Sequence, residues 1–239
     1  MRSSVMLLAG LAWLTLALTV AAAADSGHSH GGGAPVAPPR PSGFDYDPPK
    51  PGTYQLPPLA VAADGVALDE TGAVRHLSEL MGDGITVLSF IYTRCGDICP
   101  FGTQLMRDLH EATAEDPELA AGLRLITMSF DPDHDTPEVM AEEAKAFRDD
   151  GGRGEKGADW PFLTARDKGE LGEILTAYDQ RVLTSVNPDG PLAHQLRVYL
   201  IDREHRIRNI YSLDFLDPRL VLADIRTLRM EPRRQAAVR

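Results

Sequence analysis

The chain has only two cysteines, and they stand four positions apart in the segment YTRCGDICP. Thiolates are the nucleophiles of thiol-disulfide exchange and also soft metal ligands, so Cys95 and Cys99 admit two kinds of chemistry. Pro100 suits the first turn of a helix, where its missing N–H is not needed, and this sets Cys99 near the N-cap and Cys95 in the preceding loop. The positive end of the helix then favours thiolate over thiol at both sulfurs. A two-residue spacer would suit a dithiol exchange motif, whereas three residues give a looser loop that can oxidise or can open around one ion. Softness selects the ion: two thiolates with an imidazole suit Cu(I) in a three-coordinate site, and Zn(II) would want a fourth ligand. A structural role fits less well, because a pair this close closes too small a loop to stabilise much, and its place at a strand end is poor for core filling.

A third ligand must come from among seven histidines. His28 and His30 lie in a Gly/Pro-rich stretch, His76 and His110 in segments expected to face solvent, and His205 in a tight strand connection. His134 belongs to DPDHD, where turn and helix-cap roles account for all three polar residues. His194 opens the apolar segment HQLRVYLID after the loop NPDGPLA. By position alone it reads more as a structural histidine than as a ligand.

The elements that must place these residues follow from the apolar pattern. ITVLSFIYT, from Ile85 to Thr93, is a continuous apolar run of the kind found in a fully buried central strand. Gln104, Leu105, Leu109 and His110 then fall at helical spacing, in a helix reaching about Thr113, before a second apolar run, LRLITMSF, from Leu123 to Phe130. Strand, helix and strand imply a parallel pair. Asp135 is expected as the N-cap of a helix running through about Arg148, with Glu138 as its capping-box partner. GGRGEKGAD reads as a surface loop, WPFLT as a strand, ELGEILTAY as a helix, HQLRVYLID and IRNIYS as strands joined at Glu204 and His205, and LVLADIRTLR as a closing helix. The order β α β α β α β β α specifies an α/β sheet with helices on its two faces, and such sheets carry sites at the C-terminal ends of their strands, where CGDICP lies.

The length of 239 residues suits one domain with a leader and a tail. Hydrophobic residues at 43% and charged residues at 25% are values of a soluble globular protein. A net charge of −11 argues against non-specific nucleic-acid binding, which needs Lys and Arg against phosphate. Arg2, the apolar run Val5 to Val20 and Ala21 to Ala24 read as an export signal cut before Asp25, or as a single retained membrane anchor. A lipid anchor does not fit, since no Cys follows the leader. The expected organisation is a leader at 1–24, a flexible tether at 25–57, an α/β domain at 58–232 and a tail at 233–239. The protein is expected to be exported, to the periplasm or the outer face of the cytoplasmic membrane, where a lone pair of thiols this close is a working pair.

The combination of YTRCGDICP, SFDPDHDTPEVM and AHQLRVYLID resembles the Sco family of copper-binding proteins, cytochrome c oxidase copper-centre assembly factors. The likeness runs from about Leu59 to about Met230, and its order and spacing are specific. It implies a thioredoxin-like fold, a central mixed sheet flanked by helices, and one copper held by Cys95, Cys99 and His194. It implies as partners the copper-bearing subunit of cytochrome c oxidase and other copper carriers. Gly96 stands where many relatives carry Pro, which loosens the loop, and Ala193 stands where an Asp often precedes the histidine, which removes an outer carboxylate. The expected function is a copper metallochaperone without catalytic residues. The alternative is a thiol-disulfide oxidoreductase that uses only the Cys95 and Cys99 pair, and nothing besides that pair marks a peroxidase. The loop from Asn187 to Ala193, rich in Pro, Gly and Asp, is expected to be mobile until His194 is bound.

Overall fold

The computed structural model describes residues 44–148, 157–183 and 192–232. The leader, the tether up to residue 43 with His28 and His30, the glycine-rich loop through residue 156, loop residues 184–191 and the tail from 233 lie outside the described residues.

The elements in chain order are β1 (Ala60–Val61), β2 (Val66–Asp69), β3 (Val74–His76), α1 (Leu77–Met81), β4 (Ile85–Ile91), α2 (Cys99–Glu115) and α3 (Pro117–Ala120). They continue with β5 (Leu123–Ser129), α4 (Pro137–Arg148), β6 (Phe162–Thr164), α5 (Lys168–Ala177), β7 (Val182–Leu183), β8 (Ala193–His194), β9 (Val198–Ile201), β10 (Arg206–Tyr211) and α6 (Pro218–Met230). One sheet runs β1-β10-β9-β4-β5-β6-β2-β3, and β7 with β8 forms a separate ribbon. β4 pairs in parallel with β5, Ile85 opposite Leu123 through Ile91 opposite Ser129, and antiparallel with β9. All seven residues of β4 are buried, which requires cover on both faces of the sheet. α2 packs on β4 and β5 and touches α4 and α6, while α1 and α5 contact β5 and β2. This is the mixed sheet flanked by helices of a thioredoxin-like fold.

Two elements differ from the sequence expectation, and a third lies in a segment to which the sequence pattern assigned no element. The polar segment after Gly65 is a hairpin, β2 with β3, whose turn Asp69 organises by accepting from Thr71 N (2.9 Å), Thr71 Oγ1 (2.6 Å) and Ala73 N (3.1 Å), with Gly72 at φ +81°. His194 does not begin the strand that ends at Ile201. It lies on the short β8, which pairs with β7, and residues 195–197 separate it from β9. The stretch expected as a tether is bound to the domain from Tyr46 onward: Gly52 N donates to Thr227 Oγ1 (3.0 Å), Tyr54 Oη to Asp224 (2.5 Å), and Arg219 to the Tyr46 carbonyl (3.2 Å). Asp224, 1% exposed on α6, also accepts from Asn209 (2.9 Å) and Tyr211 (2.7 Å), so one carboxylate ties this strap, β10 and α6 together. Arg208 closes the far end of the strap, donating to Leu56 O (2.5 Å), Asp202 (2.8 Å) and Glu231 (2.6 Å).

Candidate metal centre

β4 delivers the chain to the edge of the core, and Tyr92 to Ile98 form the loop that leads into α2. Ile98 is the N-cap and offers no side-chain acceptor, with Pro100 in the first turn, so the free N–H groups of α2 turn to sulfur. Cys99 N lies 3.4 Å from Cys95 Sγ. The Cys95 thiol is lowered to about 5, by a hydrogen bond from Cys99 first and, against the opposing effect of burial, by the N–H groups of Cys99, Asp97 and Ile98. That same hydrogen bond and burial push the Cys99 thiol up. Helix polarity alone suggested two thiolates; in the metal-free pair one proton stays on Cys99, because two adjacent buried sulfurs cannot both carry charge. Burial first, and then the Cys95 charge beside it, raises Tyr92 to about 12.

His194 reaches the pair from the β7–β8 ribbon. Its Nε2 lies 3.3 Å from Cys99 Sγ, and its Nδ1 faces the Leu192 carbonyl at 3.4 Å. Carbonyl orientation of one ring nitrogen leaves the other as the lone-pair atom, the arrangement used by histidines that bind metals. The ring rests on Phe130 (centroids 4.8 Å apart) and edge-on to Tyr92 (5.8 Å). The three donor atoms of Cys95, Cys99 and His194 lie within 4.8 Å of one another, and among the described residues this is the one group of its kind.

Two buried carboxylates hold the loop in place, and sequence reasoning misassigned one of them. Asp135 is fully buried and is not the N-cap of α4. It accepts from Thr93 N (3.0 Å), Thr93 Oγ1 (2.5 Å) and Ser129 Oγ (2.5 Å), with His134 Nδ1 at 2.9 Å, so it joins the ends of β4 and β5 just before Cys95. α4 begins after Thr136, whose carbonyl accepts from Met140 N (2.9 Å) and whose hydroxyl donates to Glu138 (2.7 Å). Asp131 accepts from Arg94 (2.7 Å), the residue immediately before Cys95.

The other histidines are engaged elsewhere. His76 pairs with Asp64 at the surface (3.0 Å), and His205 sits in its turn at φ +55° with Nε2 2.8 Å from Gly82 O. His110, expected at the surface, is buried at 4% exposure, against Ala158 O (3.0 Å) and the Trp160 ring (5.5 Å). The spacing that marked α2 as a helix does not say which turn faces a neighbour, and the indole comes from fifty residues away in sequence.

Glu143 is a residue that the sequence reading missed. Met140, Ala144 and Phe147 form the buried face of α4, and Glu143, three positions after Met140, falls on the same side, a signal that helical spacing carries. It borders a cavity of about 10 Å³ shared with Cys95, Cys99, Tyr92, Thr93 and Phe147, room for about one water molecule. Burial first, and then Asp135, raises its carboxyl to about 7. A larger cavity of about 510 Å³ lies at the opposite end of β4, between the strap, Asp202 to Arg208 and the end of α6, remote from the sulfurs.

The SCO1/SenC family model matches residues 60–229. The SCO1 protein homolog of Bacillus subtilis (strain 168) is 26% identical over 145 residues, covering 60% of this chain and 69% of that protein. Among solved structures, apo Sco1 of Thermus thermophilus aligns with TM-score 0.57 at 26% identity, over 74% of this chain and 95% of that one. Arabidopsis thaliana ScoI with copper bound aligns with TM-score 0.59 at 20% identity, over 72% and 100%.

Proposed function

The chain belongs to the SCO1/SenC family, and from that footing we propose that it is a copper metallochaperone, loading one ion on Cys95, Cys99 and His194 and delivering it to the dinuclear copper centre of cytochrome c oxidase. The observation that carries the reading is the meeting of the three donor atoms, which come from the loop before α2, from the first residue of α2 and from a ribbon 95 residues after it. The donor set fits the ion. Two sulfurs and one imidazole suit a soft three-coordinate cargo, and none of the described histidines besides His194 is near enough to make the four-ligand set that structural zinc favours.

The chain's own residues account for loading and release. Cys95, already a thiolate, is the first donor, and Cys99 gives up its proton as the second, so loading releases a proton. His194, held from the other side by Phe130 and Tyr92, is the third. Gly96 and Asp97 leave the outer side of the loop exposed, which lets a partner's Cys and His approach and take the ion by ligand exchange. The reading places the domain outside the cytoplasm, in the periplasm or at the outer face of the cytoplasmic membrane, with Met1 to Ala24 as signal or anchor. Among the described residues no helix is long and apolar enough to cross a membrane.

A second reading, thiol-disulfide oxidoreductase, is favoured by the unequal sulfurs: a low-pKa Cys95 beside a protonated Cys99 is an attacking thiolate with a resolving thiol. Metal analysis separates the two. Reduced protein exposed to copper and zinc together should retain one copper per chain, and Cys95→Ser or Cys99→Ser should abolish it. Full copper in either variant would refute the assignment.

A further inference from the structure

Glu143 lies outside the donor set and shares a wall with it. Glu143 is half-buried and borders the cavity that Cys95 and Cys99 also line, and among the described residues it has no hydrogen-bond or ion-pair partner. The neighbouring acids differ: Asp131 is taken by Arg94, and both oxygens of Asp135 by Thr93 and Ser129. A half-buried carboxylate with no partner costs stability in the metal-free protein. A cation between the sulfurs would supply the missing charge.

We propose that Glu143 sets the oxidation-state preference of the bound copper: bordering the cavity, with room for one water, that Cys95 and Cys99 also line, it stabilises Cu(II) more than Cu(I) on Cys95, Cys99 and His194. The inference rests on the copper reading above. Two physical effects act in the same direction. A negative group in a poorly solvated site attracts the doubly charged ion more strongly than the singly charged one. Carboxylate and water oxygens are hard donors suited to Cu(II), which prefers a tetragonal set of four, whereas three soft donors satisfy Cu(I). Asp135 adds charge as well, but its oxygens are fully engaged and its removal would disturb the loop. Glu143 is therefore the position where charge can be changed alone.

The test is Glu143→Gln, which keeps the shape of the side chain and removes its charge. Affinities for Cu(I) and Cu(II) are measured by chelator competition on the reduced full-length protein, with the Cu(II) paramagnetic resonance spectrum and a redox titration alongside. Cu(II) affinity should fall by about tenfold more than Cu(I) affinity, the lower end of what outer-sphere changes cost. That difference raises the one-electron potential by about 59 mV. Glu143→Asp, which restores the charge on a shorter stem, should lie between the two. Equal losses for both oxidation states, or an unchanged potential and spectrum, would overturn the role of Glu143 and leave the copper reading standing. A parent protein that held copper in neither state would overturn both.

Discussion

Removing the Asp135 carboxylate should loosen the Cys95 loop before it loosens anything else. Asp135 is fully buried and accepts from one backbone N–H and two hydroxyls, at 3.0, 2.5 and 2.5 Å. Hydrogen bonds to a charged group contribute about 1.5–3 kcal/mol each, and burying their donors without a partner adds a penalty, so Asp135→Ala should cost about 3–5 kcal/mol. Asp135→Asn should cost less, about 1–2 kcal/mol. Its carbonyl can keep the Thr93 N–H and Ser129, and the Thr93 hydroxyl can rotate to accept from the new amide. Urea denaturation of the reduced, metal-free proteins measures both, and copper release to a chelator reports on the loop, since Thr93 stands two residues before Cys95. An alanine variant within about 1 kcal/mol of the parent, releasing copper at the parent rate, would refute the view that this carboxylate clamps the site.

Cys95 titrates near 5, below the usual thiol range, so its thiolate persists as pH falls. Iodoacetamide labelling of the reduced, metal-free protein should hold its rate down to about pH 6 and drop as pH passes 5; a midpoint near the free-cysteine value of about 8.5 would contradict this. His194→Ala should lower copper affinity by more than the roughly 10–100-fold of outer-sphere changes, while Cys95 and Cys99 still form a disulfide, as chelator competition and thiol counting would show. Arg208→Ala takes a guanidinium, 6% exposed, away from Leu56 O, Asp202 and Glu231, while Asp202 keeps Arg206, and should cost about 1.5–3 kcal/mol by urea denaturation.

The parts of the fold that were legible in the sequence are those decided by local pattern. β4 and β5 declare themselves by unbroken apolar runs, and Pro100 after Cys99 marks the start of α2. What local pattern hides is long-range pairing. Asp135 has the spacing of a cap, but its donors at Thr93 lie 42 residues away, and the part-buried Thr93 backbone N–H and hydroxyl take the carboxylate that would have capped the first turn of α4. The β2–β3 hairpin is short and rich in polar residues, so its alternation is too brief to stand out. The strap from Tyr46 to Leu56 has the Pro and Gly content of a linker, yet Tyr54 and the Leu56 carbonyl meet α6 and Arg208 about 150 residues or more later in the chain. Position in the sequence could not tell His194 from a structural histidine and the family likeness alone pointed to it, because its place beside Cys99 depends on the pairing of β7 with β8.

X-ray absorption at the copper edge, on reduced protein loaded with one equivalent of copper, reads the donor set itself. Two sulfurs and one imidazole nitrogen should surround each copper, with the imidazole contribution lost in His194→Ala. Copper surrounded only by nitrogen and oxygen, or an imidazole signal that survives His194→Ala, would contradict this donor set.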